Sequence, residues 1–345
     1  MKHLNFLSFL LALVLVPASV QATSEGYTDR PEFDDFVDGM VREHGFDANK
    51  LSQWLAEARH QERIIELISS PAEHTLQWHE YRAIFIKPER ITQGVDFLRQ
   101  HQDAFDRAEE VFGVPREVIA AIIGVETWYG RYMGSYRVVD ALSTLAFDYP
   151  PRSRFFRSEL EQFFLMAREQ GFEPSRLKGS YAGAMGYGQF IASSYRHYAV
   201  DFDGDDVVDI LENPVDAIGS VANYFDEHRW RPGGPVAIRL DDGIQVPEPM
   251  MTRELRPRFT VSEFREAGVA LPDSLAGDQP ARIIRLEADD GPQWWLTCRS
   301  LPGSWQKSWR PLRSQEPEND RDATGQVVDT ECTGAACDSA GGMRL

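Results

Sequence analysis

The chain reads as a mainly helical α+β protein, and three observations predict that class. Apolar residues recur at helical spacing through residues 31–112. A strongly hydrophobic helix follows over Val114–Gly130 and carries a single carboxylate, Glu126. Short alternating runs separated by Pro and Gly occur only between Val236 and about Leu286, which predicts a small β subdomain.

The N-terminal elements follow from that spacing. Phe33, Phe36, Val37, Met40 and Val41 form one amphipathic face, and further helices are expected near Leu51–Ala58 and Glu62–Ile68. Ser69-Ser70-Pro71 breaks the pattern. Thr75–Ile86 reads as helical and holds Trp78, Tyr81 and Phe85, aromatics that suit a core face or a sugar-stacking wall. Residues 89–112 predict one long helix with Ile91, Val95, Leu98, Phe105, Ala108 and Phe112 inward, ending before Gly113.

The next helix carries the chemistry. Pro115 suits a first helical position, where its missing N–H costs nothing. Val118, Ile122 and Glu126 then share one face at i, i+4 and i+8, with Gly130 as the expected stop. A carboxyl among apolar groups is disfavoured in its charged form, so it holds its proton and can donate it. The alternative is a solvent-facing Glu126, or one paired with Arg131 or Arg137. Two shorter helices are expected beyond it, over Val138–Phe147 and Arg157–Gln170.

Charge and targeting exclude other classes. A net charge of −18 opposes nucleic-acid binding, which needs clustered cations on phosphates. Lys2 and His3, an apolar run from Leu4 to Val16 and small residues at Val20 and Ala22 predict a cleavable leader over residues 1–22. The run is too short for a stable membrane span, and no Cys follows it to take a lipid. A periplasmic protein is expected. Cys298, Cys332 and Cys337 do not make a disulfide framework. No His/Cys spacing suggests zinc, and no organic cofactor is expected.

Two loops complete the site reading. Lys178–Phe190 places four glycines among aromatics and one Gln189, without the Lys-Ser/Thr ending of a phosphate loop. That composition suits a cleft for a neutral polar polymer. The acidic loop from Asp201 to Glu212 has oxygen donors at EF-hand spacing: Asp201, Asp203, Asp205, the Val207 carbonyl and Asp209. The usual glycine at its sixth position is Asp206, and either Glu212 or Asp216 could close the coordination. A structural calcium ion is the expected occupant; a solvated acidic turn is the alternative.

Five separated blocks resemble the B-type membrane-bound lytic murein transglycosylases. They are Val-Glu126-Thr-Trp-Tyr-Gly, the run Ala141–Pro150, Phe155-Phe-Arg-Ser-Glu-Leu, Gly183–Phe190 and Asn213–Phe225. The resemblance implies a goose-type lysozyme-like core that cleaves the β-1,4 MurNAc–GlcNAc bond of peptidoglycan glycan strands, leaving a 1,6-anhydro end. It places the single acid/base on Glu126 and sugar contacts on Ser180, Gln189, Tyr81 and Tyr224. Tyr187 of the Gly-rich segment is grouped with these contacts, and the resemblance also implies a calcium loop. Partners among other cell-wall enzymes are not specified.

The expected organisation is a leader over 1–22, an N-terminal helical domain over 23–112 and a lysozyme-like core with its EF-hand-like loop over 113–232. A β subdomain over 233–290 and an atypical polar tail over 291–345 complete it. The tail departs from the family pattern past about Trp294, where an aromatic strand and a substrate-binding helix are expected. That departure raises an alternative, a peptidoglycan-binding protein with impaired turnover.

Overall fold

The computed structural model describes residues 27–70, 76–233, 235–251 and 257–298. The expected leader, the cysteines Cys332 and Cys337, and the tail beyond residue 298 lie outside the described residues.

Among the described residues six helices precede the Glu126 helix: α1 (Pro31–His44), α2 (Ala48–Ala56), α3 (Glu62–Ser69), α4 (Trp78–Phe85), α5 (Pro88–Gln100) and α6 (Gln102–Phe112). Local chemistry starts them. Pro31 and Pro88 occupy first helical positions, Asp47 accepts the Lys50 N–H at 2.8 Å, and Gln77 with Glu80 closes a capping box. The long helix expected over 89–112 is two helices, because His101 leaves helical geometry at φ −116°, ψ 29°. The inward face of α5 also differs from expectation. Arg90, Gly94 and Phe97 are buried, whereas Ile91 and Val95 are exposed. Gly94 explains the rotation: a Cβ there would sit 2.2 Å from the Tyr129 hydroxyl, which enters from the turn that follows Thr127.

The helices that follow are α7 (Arg116–Thr127), which carries Glu126, α8 (Val138–Asp148), α9 (Ser153–Glu169), α10 (Ala192–Tyr198) and α11 (Pro214–Glu227). Pro115 caps α7 from just outside it, one position earlier than expected. A two-residue ladder, β1 (Tyr136–Arg137) with β2 (Lys178–Gly179), joins the start of α8 to the Gly-rich segment. Beyond α11 an antiparallel sheet is ordered β3 (Ala237–Arg239), β6 (Gly291–Cys298), β5 (Pro280–Ala288) and β4 (Phe259–Thr260). The short helix α12 (Val261–Glu266) covers it. Residues 291–298 are therefore strand, not tail: the apolar Trp294, Trp295 and Leu296 pair with Ile283, Ile284 and Arg285 of β5.

Among the described residues there are two apolar cores. One is continuous from Tyr27 to Trp230, so the helices up to Phe112 pack into it together with the helices that follow. Leu51, Phe105, Ile119, Phe163 and Phe225 are fully buried within it, each stabilising by about 1.5–3 kcal/mol. The other core lies under the sheet, between Leu240 and Leu296.

Polar ties fasten the N-terminal helices to α8. Asp148 accepts from Tyr27 at 2.8 Å and His60 at 2.7 Å, and pairs with Arg30. Burial raises the Asp148 carboxyl, but those three donors outweigh it and hold it below the ordinary range. Burial pulls His60 down, and its bonds to Asp148 and Glu62 carry it above the ordinary histidine value. A raised His contributes stability below its unfolded pKa of about 6.5 and loses it as pH rises through the folded value. A depressed Asp contributes above its unfolded pKa of about 3.9 and loses that as pH falls. The tie is strongest between those limits. His60→Gln should flatten the fall in melting temperature from pH 6 to 8; an unchanged slope would assign that fall to other groups.

Candidate active site

Helix α7 presents an apolar strip to the core, with Ile119, Ala120, Ile123 and Gly124 buried, and Glu126 lies in its last turn. Glu126 is 6% exposed, and its Oε1 is buried without a hydrogen-bond partner among the described residues. Neither Arg131 nor Arg137 holds it; Arg137 binds Asp140 instead, at 2.7 and 2.9 Å. Desolvation alone pushes its carboxyl well above the ordinary glutamate range. The neutral acid is thus the form this site favours.

The helix stops sooner and more abruptly than Gly130 would require. Trp128 and Tyr129 already have positive φ, 52° and 58°, before Gly130 at 84°. Residues other than glycine are held in this region only when their surroundings determine it. Tyr129 threads its ring between Gly94 and Gly124, whose added Cβ atoms would stand 2.2 and 2.5 Å from its hydroxyl. Gly130 admits the Tyr187 ring, since a Cβ there would meet it at 2.3 Å. The turn leaves Trp128 half-buried at the edge of α5.

Thr127 joins this turn to the Gly-rich segment and was not singled out by sequence reasoning. Its hydroxyl donates to the Tyr187 carbonyl at 3.0 Å and accepts the Gly130 N–H at 3.0 Å. The segment itself closes as a small hairpin through Met185 and Phe190, paired at 2.8 and 2.9 Å. Gln189 sits at its bend with φ 51°, donating its amide to the Met133 and Gly186 carbonyls at 3.3 and 3.0 Å. That leaves its carbonyl oxygen for another donor. Ser180 accepts the N–H groups of Ala182 and Ala184 at 3.3 and 3.1 Å, which leaves its O–H proton to donate. Ser180 and Gln189 thus offer opposite hydrogen-bonding faces.

The predicted tyrosines separate. Tyr187 is half-buried and stacks on Phe97 at 6.3 Å. Tyr81 is half-buried on α4, edge-on to Phe85 at 5.1 Å. Tyr224 is only 3% exposed and packs among Tyr198, Phe190 and His228, stacked on the last at 4.1 Å. Its ring is a core element.

The other acids near Glu126 in sequence are committed elsewhere. Asp140 accepts from Arg137 and from the Arg59 N–H at 3.0 Å, and Asp148 holds the N-terminal tie.

In the acidic loop, carboxylate oxygens of Asp201, Asp203 and Asp205 converge within 4.8 Å of one another. Asp206 adopts φ 68°, the conformation for which the glycine of such loops is used. Asp201 accepts from Gly204, Asp205 and Asp206, which wraps the loop around it. Asp209 caps the Leu211 and Glu212 N–H groups. Asp216 is fully buried and accepts the N–H groups of Phe202, Asp203 and Asp209, so it braces the loop from behind. Three converging carboxylates with hard oxygen donors fit a divalent cation of the calcium type.

A buried glutamic acid whose surroundings favour the neutral form, joined through Thr127 to a glycine-rich segment in a helical frame, is the kind of arrangement a lysozyme-like acid catalyst uses. The transglycosylase SLT domain family matches residues 28–301. Membrane-bound lytic murein transglycosylase B of Escherichia coli K12 is 42% identical over 278 residues, 78% of this chain and 76% of its own. The crystal structure of soluble lytic transglycosylase SltB1 from Pseudomonas aeruginosa, in a catenated form, superposes with a TM-score of 0.76 at 45% identity, covering 83% of this chain and 94% of that one. Escherichia coli lytic transglycosylase Slt35 in complex with calcium gives 0.72 at 41% identity, covering 82% and 89%. The chain belongs to the transglycosylase SLT family and has its lysozyme-like fold.

Proposed function

We propose that this chain is a lytic murein transglycosylase in which Glu126 is the only acid/base. The observation that carries the reading is a desolvated Glu126 carboxyl with an oxygen unpartnered among the described residues, while Asp140 and Asp148 are taken up in hydrogen bonds elsewhere. Glu126 gives its proton to the glycosidic oxygen as the C1–O4 bond of MurNAc breaks. The resulting carboxylate takes the proton of the C6 hydroxyl while O6 bonds to C1, so atoms and charge balance without water. Attack from within the same sugar gains the advantage of proximity that an external nucleophile lacks. The Ser180 hydroxyl donates to the sugar chain and the Gln189 carbonyl accepts from it, with Tyr187 and Tyr81 as aromatic walls. Tyr224 supports the wall from within.

Mass spectrometry of soluble products from purified sacculi tests this. Anhydro-MurNAc muropeptides are expected. Products with reducing MurNAc ends would identify a hydrolase, and bound sacculi with no release a binding protein. The site of action is the periplasm, the compartment that the residue 1–22 leader pattern suits. Among the described residues no helix is long and apolar enough to cross a membrane.

Asp201, Asp203 and Asp205, with the Val207 carbonyl, would hold calcium in a structural role. The loop leads to Ile210, whose carbonyl accepts the Tyr187 N–H at 3.1 Å. A cation there holds the far side of the Gly-rich wall and takes no part in the bond changes. Saturating calcium, at about 100 times its Kd, should stabilise the fold by about 2.7 kcal/mol. Differential scanning fluorimetry should therefore show a melting temperature several degrees higher with calcium than with EDTA, and Asp203→Asn should shrink the gap. Equal melting with and without calcium would leave the loop a solvated turn.

A further inference from the structure

We propose that Arg90, with Lys87 and Arg131, forms a carboxylate-recognition subsite around Trp128 at the exit of α7, and that its ligand is a carboxylate carried by the peptidoglycan substrate. This rests on the function proposed above and specifies one of the groups that the site reads. Arg90 is 7% exposed, and its Nε and Nη1 are buried without hydrogen-bond acceptors among the described residues. The Trp128 Nε1 beside it is likewise a buried donor without an acceptor. The guanidinium lies between two rings, 4.5 Å from the Trp128 centroid and 5.4 Å from that of Phe85. Lys87 and Arg131, both exposed, approach the same indole at 6.0 and 5.6 Å.

No carboxylate among the described residues pairs with any of the three, whereas Arg30, Arg116, Arg137 and Arg196 all have acidic partners. In a chain of net charge −18, acids to neutralise them are abundant. A buried cation left without one is costly, and stacking on aromatic faces offsets only part of that cost. Three donors and three cations arranged around one indole lack an anion that the fold itself does not supply. Burial pulls the Arg90 guanidinium down, but an arginine remains charged at neutral pH.

Location selects the anion. Trp128 is two residues from Glu126, and Phe85 is edge-on to Tyr81 at 5.1 Å, so the cluster lies between the acid and a predicted sugar contact. A glycan lying on that wall brings along the substituent of MurNAc: its own lactyl carboxylate when unsubstituted, or the carboxylates of its peptide stem. Both have the same planar acceptor geometry, which a guanidinium matches.

The test uses the full mature chain carrying Glu126→Gln, so that ligands stay intact, and isothermal titration with three tetrasaccharides. One carries peptide stems, one is the same glycan stripped of stems, and chitotetraose carries no carboxylate. Adding Arg90→Gln should weaken the stem-bearing ligand about tenfold or more and leave chitotetraose unchanged. A matching loss for the stripped glycan shows that the subsite takes the free lactyl carboxylate as well as a stem carboxylate, and a loss confined to the first ligand assigns the stem alone. Should Arg90→Gln fail to fold, the exposed pair Lys87→Gln and Arg131→Gln carries the same comparison. Equal losses for all three ligands, or none, would overturn the subsite. Product release from sacculi by the protein without Glu126→Gln, run in parallel, reports on the function itself: release with unchanged affinities removes only the subsite.

Discussion

Glu126→Gln should lower the release of anhydro-muropeptides by about 10²–10⁴-fold, the range attributed to a positioned acid/base, without unfolding the protein. The amide keeps the shape of the side chain but has no proton to give. Because the carboxyl is raised by burial, its protonated, active form persists above the ordinary glutamate range, and the rate should fall as pH rises through the raised value. Stability carries the same signature with a defined sign. The unfolded chain releases this proton near pH 4.3 and the folded chain only at higher pH, so wild-type stability declines between those values. The uncharged variant avoids the decline. Its melting temperature should exceed that of wild type by a margin that grows from pH 4 to 7. A constant margin would mean that Glu126 is not desolvated in solution.

Asp216→Ala should be the most destabilising change in the acidic loop. Asp216 is fully buried, and its two oxygens accept three backbone N–H groups at 2.7, 3.3 and 2.8 Å. Removing it orphans the Phe202, Asp203 and Asp209 donors together, which costs about 3–5 kcal/mol allowing for non-additivity. At about 2–4 °C per kcal/mol, thermal unfolding should come roughly 10 °C earlier. Burial, first, and the charge of Asp203 also raise this carboxyl, against the pull of its N–H donors. Asp203→Ala, exposed and at the cation position, should cost far less in the absence of calcium. Equal losses for the two variants would contradict the bracing role of Asp216.

The sequence placed Glu126 among apolar groups, with a solvent-facing or ion-paired side chain as the alternative, and its burial decides between them. What spacing on α7 does not reveal is the close approach of α5, where Gly94 and Gly124 both meet the Tyr129 ring, a tertiary contact with no periodic signal. The same contact misled the reading of α5. Ile91 and Val95 look like core positions, yet Tyr129 occupies the glycine side and turns Arg90 inward. An arginine seven residues before a core phenylalanine, on one face with Gly94 and Phe97, was the available clue. His101 carries no helix-breaking chemistry, so the break between α5 and α6 was hidden. Local rules did better where a side chain meets its own backbone. The EF-hand spacing anticipated the convergence of Asp201, Asp203 and Asp205, and even the strained Asp206. Tyr224 could be counted as aromatic from sequence, but only packing against His228 and Tyr198 shows that its ring lies inside the core. The hairpin of β5 and β6 was cut short because polar residues after Trp295 resembled a tail.

The most direct measurement is digestion of purified sacculi in oxygen-18 water, with mass analysis of the MurNAc ends. With Glu126 acting alone and the C6 hydroxyl as nucleophile, the products are anhydro sugars that carry no label. Labelled reducing MurNAc ends would contradict the account, because they mean that water, and not the C6 hydroxyl, bonds to C1.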